Sequence, residues 1–311
     1  MRASPAPAGP ALVSPLAVAL ALAAVYLVWG STYLAIRFAL EGGWPPLLMG
    51  GVRFVIAGAF LYAVLRLRGM PAPTRAQWRN AAFVGLLLLA VGNGLVCVAE
   101  QTVSSGLAAV AVASMPLWMA LFAALRGERP RRLEWLGLAI GFAGVAWLNA
   151  GSSLSATPTG LVALLVAAVA WAYGSVWSRG RDLPSPFMGA AAQMLCGGVA
   201  LLLAGFALGE RFDAWPDARG LLSVGYLASI GSLVGFSAYI WLLHHVRPAL
   251  AGSYAYVNPV IAVLLGAWLA GERFGAQDIG AMAVVLLGVV AITLAKARRQ
   301  APLAPAADAK A

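Results

Sequence analysis

Long apolar segments dominate this chain and limit what it can fold into. A helix that crosses the hydrocarbon core of a membrane needs roughly 20 mainly apolar residues. Hydrophobic residues make up 62% of the 311 residues and charged residues only 10%, too few to cover a soluble domain of this length. The composition therefore excludes a water-soluble enzyme, a nucleic-acid-binding module and a disordered chain. We predict an all-α integral membrane protein with ten transmembrane helices, at residues 15–39, 45–65, 80–99, 104–124, 133–150, 159–179, 185–208, 219–242, 248–270 and 277–296.

The basic residues are distributed unevenly over the loops between these segments. With ten spans both termini lie on one side, and that side receives 16 of the 21 lysines and arginines, whereas Arg53 lies inside a span. The opposite side receives Arg37, Arg211, Arg219 and Arg273. Cytoplasmic loops carry such an excess of positive charge. We therefore predict a multi-pass protein of the bacterial inner membrane with cytoplasmic tails at residues 1–14 and 297–311, whose partner is the lipid bilayer and not a nucleic acid.

Short motifs recur at a constant separation of 144 positions. The pairs are Ala23-Ala24-Val25 with Ala167-Ala168-Val169, Gly30-Ser31 with Gly174-Ser175, Arg37 with Arg181, Gly127-Glu128-Arg129 with Gly271-Glu272-Arg273, and Gly144 with Gly288. Five matches at one offset are not expected by chance, and they predict two repeats, at residues 15–150 and 151–296. Because the first apolar segment has a counterpart in the second repeat, we interpret it as a helix of the fold and not as a cleaved signal peptide.

Each repeat contains five predicted spans, an odd number, so the second repeat must enter the membrane in the opposite direction. We therefore predict two inverted five-helix repeats around a central cavity. Carriers built in this way bind substrate near the middle of the membrane, between the repeats. Two near-equivalent halves can pack in two near-mirror arrangements, each open to one side, which predicts transport by alternating access.

Motifs for catalysis or cofactor binding are absent from the sequence. It has no glycine-rich phosphate loop followed by lysine and no cluster of His, Cys, Asp and Glu at metal-ligand spacing, so we expect neither a cofactor nor a metal. Cys97 and Cys196 each lie inside an apolar segment, which is typical of small buried residues. A membrane-embedded enzyme and a channel stay open as alternatives. A channel would show a flux far above carrier turnover and no trans-stimulation.

Four stretches carry a resemblance to a known family. They read YLVWGSTYLAIRF at residues 26–38, WPPLLMGGVRF at 44–54, AVGNGLVCVAE at 90–100 and SYAYVNPV at 253–260. In these motifs the chain resembles the drug/metabolite transporter superfamily, in its ten-helix EamA-type branch, over about residues 15–296. The resemblance implies export of amino acids, including aromatic and other neutral ones, without enzymatic activity. Export of lipophilic cations or drugs, coupled to protons, is the alternative, and it would need an acidic residue in the cavity.

Polar and aromatic side chains inside the predicted spans are the candidates for substrate binding, because polar groups are expensive to bury in lipid. Aromatic walls with a few neutral hydrogen-bonding groups suit a small molecule with an apolar body and polar ends. The alternative roles are interfacial belts for Trp and Tyr and bonds between helices for Ser and Asn. The candidates are Trp29, Ser31, Asn93, Trp118, Trp171, Tyr173, Ser175, Gln193, Tyr254, Tyr256 and Asn258.

Two prolines lie in the middle of predicted spans at nearly matching positions of the repeats. Pro116 falls in the fourth span and Pro259 in the ninth. A proline inside a helix removes one backbone hydrogen bond and clashes with the preceding turn. In a membrane the freed carbonyl is tolerable where protein or cavity water satisfies it. We therefore predict a pair of hinges beside the site, with static packing kinks as the alternative.

Ionisable residues near or inside the spans give two further expectations. Arg53 either clamps a substrate carboxylate or is tied structurally to backbone carbonyls or to Glu41, and the structural role is favoured. Glu100 and Gln101 follow the third span and are expected at the cavity mouth, with a hydrated carboxylate. No Asp or Glu lies at the middle of a span, which predicts uniport down the substrate gradient and not proton coupling.

Small residues explain how ten helices can pack in lipid. Gly137 and Gly141 form one Gly-xxx-Gly pair, and Gly231 and Gly235 form another. Such pairs let two backbones approach closely. They serve contacts within the chain or a dimer face, so a monomer and a dimer both stay open.

Overall fold

The computed structural model describes residues 14–127, 132–151, 157–246 and 254–299. The predicted terminal tails lie almost wholly outside these ranges. So do Glu128 and Arg129 of the repeated motif and the first residues of the ninth predicted span.

Within the described ranges each predicted span coincides with one helix, and we number these helices α1 to α10. Four of them begin at a proline, because the first turn of a helix has no use for the amide hydrogen that proline lacks. Their bounds are Pro15–Glu41 (α1), Pro46–Leu67 (α2), Arg75–Ala99 (α3), Ser105–Val112 and Met115–Leu125 (the two segments of α4), Arg132–Gly151 (α5), Pro158–Ser178 (α6), Pro186–Ala207 (α7), Ala218–Tyr226, Leu227–Val234 and Gly235–His245 (the three segments of α8), Tyr254–Leu269 (α9) and Ala276–Arg299 (α10).

The outside of this bundle is apolar, as a membrane protein requires. Seven helices are long and apolar enough to cross a membrane, and α5, α9 and α10 contain shorter apolar stretches within the described residues. Large side chains such as Phe60, Phe206 and Trp268 are exposed, whereas Leu107 and Leu164 are fully buried between helices. Continuous exposed apolar surface on this scale is typical of contact with lipid. The predicted all-α membrane fold is confirmed.

Two helices share the same irregularity at matching places in the two repeats. α3 widens into a π-helix at Leu86–Asn93 and α8 does so at Leu227–Val234, each over eight residues. In α8 the hydroxyl of Ser232 donates to the carbonyl of Leu227, five residues earlier, at 2.9 Å. Insertions of this kind often mark functional sites, and here they show the internal symmetry of the fold.

The contacts between helices follow the symmetry of two repeats. α2 packs most extensively against its own counterpart α7, and α5 against its counterpart α10. The next most extensive contacts are also between the repeats: α1 packs against α8 and α9, whereas α6 packs against α3 and α4. A two-fold axis that runs between the repeats produces this pattern. The architecture of two inverted five-helix repeats is confirmed.

Glycines permit the closest contacts across this axis. A Cβ on Gly288 of α10 would lie 2.5 Å from the Cα of Gly141 of α5 and 2.8 Å from the carbonyl oxygen of Gly137. A Cβ on Gly198 of α7 would lie 2.8 Å from the backbone nitrogen of Val55 of α2. Missing side chains therefore set the spacing of these helices, which lipid cannot drive together by a hydrophobic effect.

The other predicted glycine pair also packs inside the chain. A Cβ on Gly235 of α8 would lie 2.6 Å from the indole nitrogen of Trp29, and one on Gly231 would lie 3.2 Å from the methyl group of Thr32. Both glycines therefore allow α8 to pack closely against α1. Both Gly-xxx-Gly motifs make contacts within one chain.

Gly288→Ala should destabilise the protein, because the added methyl group meets backbone atoms that no side-chain rotation can move. The expected cost is about 1–3 kcal/mol, measured as a lower thermal unfolding midpoint in detergent. Gly225→Ala is the matched control, since nothing lies within 4 Å of its added Cβ and alanine favours the helix. Equal midpoints for Gly288→Ala and Gly225→Ala would contradict the close packing of α5 against α10.

Candidate functional site

A central cavity of about 80 Å³ lies between the two repeats. Its wall comes from α1, α2, α3 and α4 of the first repeat and from α6 and α9 of the second. Within the described residues, the structure places no acidic side chain in this wall and no group of three His, Cys, Asp or Glu that could hold a metal. The lining residues are Trp29, Thr32, Tyr33, Ile36, Arg53, Gly92, Asn93, Val96, Ala109, Val112, Ala113, Met115, Ala167, Trp171, Tyr254, Asn258 and Pro259.

One face of α1 supplies a strip of this wall. Trp29, Thr32, Tyr33 and Ile36 lie at positions i, i+3, i+4 and i+7, which a helix of 3.6 residues per turn places on one side. The sequence prediction includes Trp29 and misses the other three. Once Trp29 is known to line the cavity, the helical spacing identifies Thr32, Tyr33 and Ile36 as lining residues too.

Aromatic rings from three helices meet at one end of the cavity. The Trp29 ring lies 5.0 Å from the Tyr254 ring of α9, edge to face, and 6.5 Å from the Trp171 ring of α6 in a similar T-shaped arrangement. The indole nitrogen of Trp29 donates to the carbonyl of Gly231 in α8 at 3.3 Å, which fixes its ring. These contacts bring together three of the predicted residues as an aromatic wall with defined edges and faces.

Two asparagines supply the neutral polar groups of the cavity. Asn93 ends the π-helical segment of α3, and Asn258 lies on α9 one turn after Tyr254. Both line the cavity, and the Oδ1 atom of each is buried without a hydrogen-bond partner. A buried acceptor without a donor is costly, so both amides are suited to receive a donor from a bound molecule.

The predicted serine pair lies outside the lining of this cavity. The Ser31 hydroxyl shares a 2.6 Å hydrogen bond with the hydroxyl of Tyr226 and donates to the carbonyl of Val28 at 2.9 Å. The Ser175 hydroxyl donates to the carbonyl of Trp171 within its own helix at 2.7 Å. Ser31 therefore bonds between helices, which is the alternative role that the sequence leaves open, whereas Ser175 bonds within its own helix.

Trp118, Tyr173 and Gln193 are also outside the cavity lining. Trp118 packs edge to face on Phe142 at 4.7 Å, with its indole nitrogen buried and unpartnered. Tyr173 is 39% exposed and packs edge to face on Phe122 at 5.5 Å. Gln193 is buried on α7, where α3 packs against its backbone. The side chain of Tyr256 lies outside the described part of the structure.

The two predicted hinges differ in their local structure. Pro116 is the second residue of the segment Met115–Leu125, because α4 is interrupted after Val112. The prediction of a mid-helix position for Pro116 is wrong: its ring would clash with the carbonyl four residues earlier, and the helix ends at that residue. Pro259 lies inside α9 and lines the cavity beside Asn258.

Arg53 is a buried cation in the wall of the cavity. It is 4% exposed, and its Nε and Nη1 atoms have no hydrogen-bond partner among the described residues. The favoured tether to Glu41 is not formed, because Glu41 lies 2.8 Å from Arg37 and 3.4 Å from Arg219 instead. The contact that the structure does give Arg53 is a cation–π contact, with the guanidinium carbon 4.3 Å from the centre of the Phe54 ring.

Glu100 follows the last residue of α3 and, with Gln101, lines a pocket of about 340 Å³ next to Arg37. Glu100 is nevertheless only 5% exposed, and neither carboxyl oxygen has a hydrogen-bond partner in the described ranges. Burial raises the pKa of Glu100 well above its ordinary value, and the charge of Glu272 raises it further, whereas Arg37 and Arg53 act in the opposite direction. The neutral carboxyl is favoured, which corrects the expectation of a hydrated carboxylate.

A polar cluster joins the two repeats beside this pocket. The Glu272 carboxylate, in the loop between α9 and α10, accepts from the Ser105 amide at 2.8 Å, the Ser105 hydroxyl at 2.7 Å and the Gly106 amide at 3.2 Å. It thereby caps the free amides at the start of α4. Arg37 of α1 donates to Glu272 at 2.5 Å and to Glu41 at 2.8 Å. We call these five residues the Glu272 cluster, and the sequence indicated Glu272 only as part of a repeated motif.

Proteins of known sequence match this chain along nearly its whole length. The EamA-like transporter family matches it twice, over residues 16–150 and 158–294. The uncharacterized inner membrane transporter YedA of Escherichia coli (strain K12) is 50% identical over 277 residues, which are 89% of this chain and 90% of YedA. The uncharacterized transporter YvbV of Bacillus subtilis (strain 168) is 30% identical over 297 residues, which are 93% of this chain and 94% of YvbV.

A solved crystal structure shares the fold. Its TM-score with this chain is 0.65 at 24% sequence identity, over 92% of this chain and 100% of its own. At that identity the likeness supports the arrangement of helices and nothing further. Together with the two family matches, the fold and the motifs lead to one assignment. The chain belongs to the EamA-like transporter family of the drug/metabolite transporter superfamily.

Proposed function

We propose that the protein is an inner-membrane carrier that exports amino acids, including aromatic and other neutral ones. The observation that carries this proposal is the presence, in one cavity, of aromatic walls and two amide oxygens that lack a partner. The α-ammonium group of an amino acid supplies the donors that Asn93 and Asn258 lack. Trp29, Trp171 and Tyr254 suit an apolar or aromatic side chain.

Lipophilic cations or drugs fit this cavity less well than amino acids do. Arg53 lines the wall, and the described lining residues include no acidic side chain. A cation without a carboxylate would meet the positive charge of Arg53 with no anion to offset it. Because the cavity contains few fixed charges, it excludes few neutral amino-acid side chains, which supports broad specificity among amino acids.

In the proposed transport cycle the two repeats exchange between two packings, and the cavity opens to each side in turn. The Glu272 cluster supports this proposal, because it links both repeats at one end and must break when the cavity opens there. Pro259 in the cavity wall is the proposed hinge, together with the interruption before Pro116. With both termini placed in the cytoplasm, Glu272 lies at the outer side, and a monomer suffices because one chain encloses the cavity.

We further propose that transport is uniport down the substrate gradient. Proton coupling needs a titratable group that changes its protonation during the cycle. Glu100 is the acidic residue nearest to this role, since it is buried and its neutral form is favoured. The proposal requires this carboxyl to stay protonated throughout the cycle, since it then carries no protons against the substrate.

Purified protein in liposomes loaded with single labelled amino acids should release aromatic and other neutral amino acids faster than protein-free liposomes do. Unlabelled amino acid on the opposite side should accelerate this release. A carrier that returns with a bound substrate completes the transport cycle faster than one that returns empty. The measurement is efflux of label with and without external substrate. Release of no amino acid above the protein-free rate would contradict the proposed substrate class, and rapid flux without trans-stimulation would indicate a channel.

Asn258→Ala should raise the half-saturation concentration for a neutral amino acid about tenfold, because a hydrogen bond to a charged ammonium group is lost. Counterflow rates at a series of substrate concentrations provide the measurement. Asn80→Ala is the matched control, since Asn80 is bonded to the carbonyl of Asp182 at 2.9 Å at an exposed position. Unchanged saturation in Asn258→Ala would remove Asn258 from the site.

A pH gradient imposed across liposomes should not drive an amino acid uphill. Glu100→Gln should transport at a rate within about twofold of the natural chain between pH 6 and 8, because glutamine copies the neutral carboxyl whose raised pKa the structure indicates. The measurements are substrate accumulation and initial rate. Accumulation that depends on the pH gradient and disappears in Glu100→Gln would establish proton coupling and refute uniport.

A further inference from the structure

The guanidinium group of Arg53 is held at a fixed place in the wall of the central cavity. α2 packs closely on α7 on both sides of Arg53 in the sequence. A Cβ on Gly51 would lie 2.9 Å from the backbone nitrogen of Leu202, and a Cβ on Gly58 would lie 2.9 Å from that of Leu195. Contacts this tight leave the backbone of α2 little freedom to shift, and the guanidinium carbon lies 4.3 Å from the centre of the Phe54 ring.

No carboxylate in the described part of the chain is bonded to this charge. The Nε and Nη1 atoms of Arg53 are buried without a partner. Glu41 is engaged with Arg37 and Arg219. Glu100 carries no hydrogen bond to Arg53, and its burial favours the neutral carboxyl. A buried cation that lacks a bonded anion is energetically costly, and a bound anionic group would remove that cost.

We propose that Arg53 binds the α-carboxylate of the transported amino acid and so determines that the carrier selects carboxylate-bearing substrates. This inference rests on the proposed function and specifies how the site recognises its substrate. A guanidinium offers paired donors in a planar fork that matches a carboxylate. In the same cavity Asn93 and Asn258 offer acceptors to the ammonium group. The substrate is then bound by its backbone groups, and its side chain rests against the aromatic wall.

Competition between a substrate and its carboxyl-blocked analogue tests this role. The probes are L-phenylalanine and L-phenylalaninamide, each used to inhibit counterflow of labelled L-phenylalanine in liposomes. The natural chain should bind phenylalanine at least about tenfold more tightly than the amide, since charge-assisted bonds to the carboxylate are lost in the amide. Arg53→Gln should weaken the binding of phenylalanine by about the same factor. It should bind the amide at least as tightly as the natural chain does, because the repulsion between Arg53 and the ammonium group of the amide is removed, so that the preference disappears.

Two further variants separate recognition from structural support. Arg53→Lys keeps the charge without the fork and should show an intermediate preference. Arg211→Gln removes an arginine whose side chain is 85% exposed and should behave as the natural chain does. If Arg53→Gln cannot be purified in folded form, the preference of the natural chain and of Arg53→Lys decides the question.

Each outcome bears on the proposal. Loss of the preference in Arg53→Gln, with binding of the amide unchanged or tighter, supports it. A preference that persists in Arg53→Gln, an equal loss for both probes, or no preference in the natural chain overturns it, while transport of amino acids would still support the proposed function. Absence of any amino-acid transport by the natural chain overturns both.

Discussion

Hydrocarbon offers no hydrogen-bond partner, and this constraint organises the whole structure. Backbone groups satisfy each other in helices, and hydroxyls such as those of Ser31, Ser175 and Ser232 donate to carbonyls of their own helices. Glu272 satisfies the amides that begin α4. Against that background, the few buried polar atoms without a partner are conspicuous, and those of Arg53, Asn93 and Asn258 belong to residues that share one cavity. The polar groups that the fold leaves unsatisfied therefore indicate where a ligand is expected.

Much of the fold could be predicted because the length of an apolar segment and the spacing of repeated motifs can be read directly from the sequence. The length of each apolar segment predicts the first and last residues of a helix to within a few positions. The exception is α9, where the described residues begin after the predicted start. The 144-residue offset indicated the repeats, which the exchanged helix contacts and the matching π-helical segments confirm. The π segments themselves could not be predicted, since apolar side chains such as those of Leu86 and Leu227 fit an ordinary helix equally well. The interruption of α4 depends on how Pro116 packs, and a mid-span position does not determine it.

The candidate site was predicted in part, because depth in a span is readable from sequence while the direction of a side chain is not. Trp29 and Ser31 are two residues apart at the same depth, and the helix turns one toward the cavity and the other toward Tyr226. Glu100 was expected in water because it follows a span, but the structure leaves it only 5% exposed. Whether a charge such as that of Arg53 has a partner depends on residues distant in the chain, so the structure was needed to show that Glu41 is engaged elsewhere.

The central claim is that two repeats of opposite orientation enclose one shared cavity. Single cysteines at Arg68, after α2, and at Arg211, after α7, test it most directly, because these helices are counterparts and both positions are exposed. The background variant has Cys97 and Cys196 replaced with alanine, and intact cells and inverted membrane vesicles are treated with a membrane-impermeant thiol reagent. Inverted repeats predict that one cysteine reacts only in cells and the other only in inverted vesicles. Reaction of both from the same side would contradict the inverted architecture and the transport cycle that depends on it.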